Sequence, residues 1–364
     1  MTISKFAATL SGVMTAAFVA FAAQAEEVRV YNWSDYIDEE ILKDFEKETG
    51  IKVVYDVFDS NEILETKLLA GKTGYDIVVP SHAFLSRQIK AGIFQKLDMA
   101  QLPNAKNIWK DVADRVARFD PGNEFSVNYM WGSTGLGYVK EKVAERIENP
   151  PTNSWSLVFD PKYAKKLQDC GIYWLDAPTE VMPAALAYLG KDGNSRSADD
   201  MKEAAALLEK VRPFVRKFHS SEYISALANG EICVAIGWSG DVLQARDRAS
   251  EAKKGVTVEY SIPKEGTQMW FDQLAIPADA PNPKAAHKFI NYLLEAKVIA
   301  KATNYVNYAN GNLASQEFID PEVLADTAIY PDAETVKNLF VVDTYAPKLQ
   351  RVVTRAWTRL KTGQ

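Results

Sequence analysis

Residues 27–81 read EVRVYNWSDYIDEEILKDFEKETGIKVVYDVFDSNEILETKLLAGKTGYDIVVPS, and their hydrophobic periods decide the fold class. The stretch 27–31 alternates and is rich in β-branched residues, which predicts a strand. From Asp38 the period lengthens, so that Ile41, Leu42 and Phe45 share one helix face until Gly50 ends it. There follow a second strand over 51–58, a helix capped by Ser60 and closed at Gly71, a short third strand over 75–79 ended by Pro80, and a helix over 84–91 stopped by Gly92. Strands and helices alternating in this way form a mainly parallel sheet covered by helices on both faces, so the expected class is α/β.

Upstream, residues 1–25 belong to a different kind of sequence. Lys5 gives a positive start, residues 6–22 are apolar and small, and Ala23-Gln24-Ala25 has the A-x-A form of a cleavage site before Glu26. This predicts a signal peptide and export to the periplasm of a Gram-negative bacterium. The absence of a cysteine beside the cleavage site argues against a lipid anchor. Downstream, the α/β pattern resumes with a strand over 172–176, a helix from Glu180, a long helix opened by Ser197 with Asp200 three residues on, and a strand over 232–237. Single cores stop growing near about 250–300 residues, so a chain of 364 residues predicts two lobes. The Gly- and aromatic-rich run 129–138 is expected to connect them, and 256–277 to supply two returning strands.

Composition narrows the function. Lys plus Arg number 42 against 48 Asp plus Glu, a net charge of −6, with no basic block, so nucleic acid and anionic membrane surfaces are excluded as electrostatic partners and a cationic one is favoured. No stretch beyond residue 25 approaches the roughly 20 apolar residues needed to span a bilayer. Cys170 and Cys233 form a disulfide candidate in an oxidising compartment, with two buried thiols as the alternative. Three scattered histidines, His82, His219 and His287, without paired-ligand spacing predict no metal site.

Open parallel sheets bind ligands beyond the carboxyl ends of their strands. The loops there carry Trp33, Ser34, Asp35 and Tyr36 after the first strand, Ser81 after the third, Glu180 after the fourth, and Trp238, Ser239 and Asp241 after the fifth. Trp270 and Asp272 stand two apart on one face of a further strand. Alone, each has an ordinary reading: Asp35 as a cap for the helix near 38, Asp241 as a cap for one near 242, the tryptophans as core. Together they form a set of ring faces and carboxylates without a neighbouring Arg or Lys, which suits an organic cation. Gly237-Trp238-Ser239-Gly240-Asp241 lacks the last glycine of a nucleophile elbow. Gly132-Ser133-Thr134-Gly135-Leu136-Gly137 lacks the lysine of a phosphate loop and reads as a flexible connector. The competing functions are an exported hydrolase using Glu180 with Asp241 or Asp272 as an acid/base pair, and a binder of other small cations or oligosaccharides.

The stretches VYNWSDYI (30–37), FEKETGIKVVYDVFDSNEILETKLLAG (45–71), YDIVVPS (75–81), YLGKDGNS (188–195), ANGEICVAIGWSGDV (228–242), SIPKEG (261–266) and TRAWTRLK (354–361) resemble the periplasmic polyamine-binding proteins of bacterial spermidine/putrescine ABC importers. The resemblance implies a two-lobed periplasmic binding protein fold with a hinge, no enzymatic activity, no cofactor, and delivery of ligand by a monomer to an inner-membrane ABC permease. It implies a first lobe of residues 26–130 and 255–304 and a second of 131–254 and 305–364. Trp33, Tyr36, Trp238, Trp270 and Tyr308 then resemble aromatic walls, Ser34, Asp35 and Ser81 polar contacts, and Glu180, Asp241 and Asp272 the carboxylates that hold amines. Tyr308 comes from the resemblance alone. His82, Ala83, Ala177, Trp270 and Val342 stand at positions that vary with ligand. Trp270 is similar to spermidine-type sites and Ala177 to putrescine-type ones, and the expectation is spermidine, with putrescine as the alternative.

Overall fold

A computed structural model describes residues 26–253 and 255–363, so the expected signal peptide lies outside the described residues. The opening stretch forms β1 (Glu27–Trp33), α1 (Glu39–Thr49), β2 (Lys52–Phe58), α2 (Asn61–Ala70), β3 (Ile77–Val78) and α3 (His82–Lys90). The Asp38 carboxylate accepts from the Glu40 N–H at 2.9 Å, and Ile41 and Phe45 are the buried stripe of α1. The Ser60 hydroxyl accepts from the Ile63 N–H, as a helix cap should. β1 pairs in parallel with β2 on one side and β3 on the other, Glu27 opposite Lys52 and Val30 opposite Ile77.

The later strands are β4 (Ser126–Val139), β5 (Ile172–Trp174), β6 (Lys217–Phe218), β7 (Val234–Trp238), β8 (Val258–Ser261) and β9 (Thr267–Ala275). Hydrogen bonds run through the order β2-β1-β3-β9-β4-β7-β5-β6. A parallel triad thus closes each end, and between them β9 and β4 run antiparallel. The glycine-rich 132–137 run, expected as a flexible connector, is continuous strand inside β4, because its backbone is paired by β9 and then by β7 and β8.

Two hydrophobic cores flank these crossing strands. Val28, Phe45, Ile77 and Phe289 belong to the first, and Trp155, Trp174, Ile236 and Trp357 to the second. A smaller cluster containing Trp131, Leu243 and Phe271 sits at the crossing. β4 lends Met130 to the first core and Leu136 to the second, which makes it a physical link between lobes. Two edges differ from the expected lobe limits. Val258 packs in the second core because β8 pairs with the Leu136 to Val139 half of β4, while Val306 and Tyr308 pack in the first.

Cys170 and Cys233 are joined, with Cα atoms 5.4 Å apart and a separation of 63 positions in sequence. Closing a loop of that length restricts the unfolded chain by about 4 kcal/mol in the chain-entropy model. Replacing both cysteines by serine should lower the unfolding free energy by about 2–4 kcal/mol in urea titrations; an unchanged midpoint would mean that the bridge adds no stability.

Candidate functional site

The ends of the parallel strands converge on one interlobe cleft. From the first lobe come Trp33 at the end of β1, Ser34 and Tyr36 in the loop beyond it, Asn61 at the start of α2, Ser81 just before α3, and Trp270 and Asp272 on β9. Tyr308, which packs in the same core, joins them. From the second lobe come Glu180 in the first turn of the helix Pro178–Tyr188, Trp238 at the end of β7, and Asp241 in the first turn of the helix Ser239–Ala252.

Asp35 is the one expected residue outside this wall. It does not line the cleft, and the cap of α1 is Asp38. Its backbone is left-handed, φ 53°, and its carboxylate turns away to Arg248 at 2.6 Å. The Gln244 side-chain amide also donates to the Asp35 carbonyl at 3.1 Å. Both partners lie on the helix Ser239–Ala252, so Asp35 ties the lobes at the rim.

Each carboxylate in the cleft is held by neutral donors. Asp272 accepts from the Ser81 hydroxyl at 2.6 Å and the Tyr36 hydroxyl at 2.9 Å. Asn61 fixes Ser81 from both sides, donating to its hydroxyl at 2.9 Å and accepting its backbone N–H at 3.0 Å. Asp241 accepts from the hydroxyls of Tyr223 and Tyr308, each at 2.7 Å. Glu180 accepts from the Thr134 hydroxyl at 2.6 Å and from Gln268 at 3.1 Å.

The rings between the carboxylates meet edge to face. Centroids lie 5.4 Å apart for Trp33 and Trp238, 5.0 Å for Tyr36 and Tyr308, and 5.4 Å for Trp270 and Tyr308. Gly240 permits this: a Cβ there would fall 2.4 Å from the Tyr308 ring, so only glycine lets the helix start lie flat on it.

Sequence reasoning missed Asn61, Thr134, Tyr223 and Gln268. Asn61 opens the helix that follows the second strand, a strand end to which the same rule applies. Thr134 lies in the glycine-rich run expected as a connector, which is strand inside β4. Tyr223 and Gln268 have no local signal, since their roles depend on which strands become neighbours.

A family model described as bacterial extracellular solute-binding protein matches residues 40–331. The chain is 51% identical over 362 residues to the putrescine-binding periplasmic protein PotF of Escherichia coli (strain K12), covering 98% of each chain. It is 50% identical over 364 residues to the putrescine-binding periplasmic protein SpuD of Pseudomonas aeruginosa (strain UCBPP-PA14), covering 99% of each. Among solved structures it is similar to the spermidine/putrescine ABC transporter substrate-binding protein PotD from Streptococcus pneumoniae. That match has a TM-score of 0.74 and 29% identity, covering 93% of this chain and 99% of the other.

Among the described residues, no Lys or Arg forms an ion pair with Glu180, Asp241 or Asp272. Burial pushes the carboxyls of Asp241 and Asp272 up to about 7 and that of Glu180 up to about 8, against the lowering effect of their hydroxyl donors. The sign for stability follows from where each state binds protons. In the unfolded chain these groups ionise near pH 4, and in the fold they hold protons to pH 7 or 8. Their contribution is therefore fully present below about pH 4 and lost as pH rises through 7 to 8. Ligand-free protein should melt at a higher temperature at pH 6 than at pH 8.5; a melting temperature that rises over that interval would contradict this electrostatic account.

Proposed function

Because the chain belongs to the bacterial extracellular solute-binding protein family, we propose that it captures a polyamine in the periplasm, between two closing lobes, and delivers it to an inner-membrane ABC permease. Family membership sets aside the exported hydrolase, so Glu180 and the two aspartates are read as binding groups. The observation that carries the ligand class is the set of three buried carboxylates without a protein cation, interleaved with five aromatic side chains. A neutral oligosaccharide would leave those acids uncompensated.

A diammonium chain fits the chemistry at each point. Its ammonium groups can donate to Asp241, Asp272 and Glu180, while its methylenes and charges lie against ring faces worth roughly 0.5–2 kcal/mol each. Micromolar affinity requires about −8 kcal/mol net, within reach of a few such contacts after ordering costs. Only the closed arrangement offers Asp272 from one lobe and Asp241 and Glu180 from the other, so ligand favours closure. The exported setting is supported by the periplasmic relatives, and no helix among the described residues is long and apolar enough to cross a membrane.

The two relatives near 50% identity, both putrescine-binding periplasmic proteins, support putrescine over the spermidine expected from the sequence. Trp270 is the residue that speaks for the longer amine. Asp241→Asn and Trp238→Ala should each weaken polyamine binding at least tenfold by calorimetry, and near-wild-type affinity in both would place the ligand elsewhere. In competition titrations, Trp270→Phe should shift preference further from spermidine towards putrescine; an unchanged ratio would remove Trp270 from specificity.

A further inference from the structure

The pairing of β4 with β9 slips by one residue at the crossing between lobes. Asn128 faces Gln273 and Trp131 faces Phe271, so three steps on β4 match two on β9. Such a bulge leaves local ladder groups unpaired. The β9 residue opposite the slip is Asp272. Its carbonyl is served by a side chain in place of the ladder: the Asn128 amide nitrogen donates to the Asp272 carbonyl at 3.0 Å and to the Met130 carbonyl, on the bulged strand itself, at 3.2 Å.

Other contacts converge on the same arrangement. Asn128 is 8% exposed, and its side chain is pressed against Gly311, where a Cβ would fall 2.4 Å from the amide oxygen. Gly311 directly follows β10 (Ala309–Asn310), which pairs with Trp131 and Met130 and so backs the bulge. Inside the bulge, the Tyr129 hydroxyl donates to the Tyr36 carbonyl at 2.7 Å, and the Tyr36 hydroxyl in turn donates to the Asp272 carboxylate at 2.9 Å. On the other side of β9, Ser81 forms an isolated antiparallel bridge with Asp272. The bulge thus holds Asp272 twice, through its backbone by Asn128 and through its carboxylate by way of Tyr129 and Tyr36.

We infer that Asn128, which does not reach the cleft, is a positioning residue that aims the Asp272 carboxylate at the bound cation by replacing the ladder hydrogen bond lost at the bulge. This deepens the reading of the cleft as a polyamine site and rests on it. A carboxylate on a strand interior has little rotamer freedom, so its aim follows its own backbone. Without the amide donor, the Asp272 carbonyl is buried and unpaired, and the strand must shift to find another partner.

The test is a double-mutant cycle with putrescine and spermidine as titrants, in full-length mature protein. Asn128→Ala removes the donor; Asn128→Asp keeps the shape but cannot donate when ionised. Melting temperatures and circular dichroism establish that each variant is folded at the titration temperature. In the wild-type background both should weaken binding about tenfold, and in the Asp272→Asn background, where the charge to be aimed is gone, by less than twofold. Equal losses in the two backgrounds, or none in the wild-type background, would overturn the inference. If Asp272→Asn alone binds like the parent, the polyamine reading of the cleft fails first, and the two failures are told apart by that single variant.

Discussion

Three carboxylates share one buried cleft with hydroxyls, amides and rings, and no lysine or arginine among the described residues pairs with any of them. Removing an ionised carboxylate from water without a counter-charge costs several kcal/mol even after relaxation. The fold tolerates the arrangement by letting the acids hold protons towards neutral pH and by giving each of them two neutral donors. That compromise costs native stability at neutral pH, and a cation entering the cleft relieves it. In the proposed function, affinity and closure have the same source, because the acids to be compensated are divided between the lobes.

The architecture makes this unusual set possible by working against its own bias. Strand ends and helix starts in an open parallel sheet present backbone N–H groups, which favour anions. Here Glu180 and Asp241 occupy first turns of helices at the cleft, so the helix ends favour the acids and the acids line the cleft. Ser81 stands at the cap position of α3 yet makes no side-chain cap bond, its hydroxyl being committed to Asp272. The crossing strands add the mechanical part. β4 changes partners from β9 to β7 and β8 as it passes between cores, and the one irregularity in its pairing falls beside Asp272.

Much of this was legible in one dimension. The period change between 27–31 and 38–50, with Asp38, Ser60 and the glycines that end the helices, encodes a parallel α/β triad through local chemistry alone, and the structure forms those elements within a few residues. The rule that ligands meet strand ends picked out Trp33, Ser81, Trp238 and Asp241, because each follows directly from where a strand stops. Asp35 departed from that rule for a reason no local pattern contains: Arg248, 213 residues away, captures its carboxylate. Tyr223, Thr134 and Gln268 were missed for the same reason, since each becomes a partner of an acid only after β4, β7 and β9 are assembled. The bulge that aims Asp272 is likewise a property of two strands in register.

The measurement that bears most directly on the account is a comparison, by calorimetry at one pH and ionic strength, of putrescine with butylamine and with 1,4-butanediol, molecules of similar length carrying two, one and no charges. If uncompensated acids drive capture, the dication binds in the micromolar range, the monocation at least a hundredfold more weakly, and the diol not measurably. Binding of the diol or the monoamine within tenfold of putrescine would contradict it.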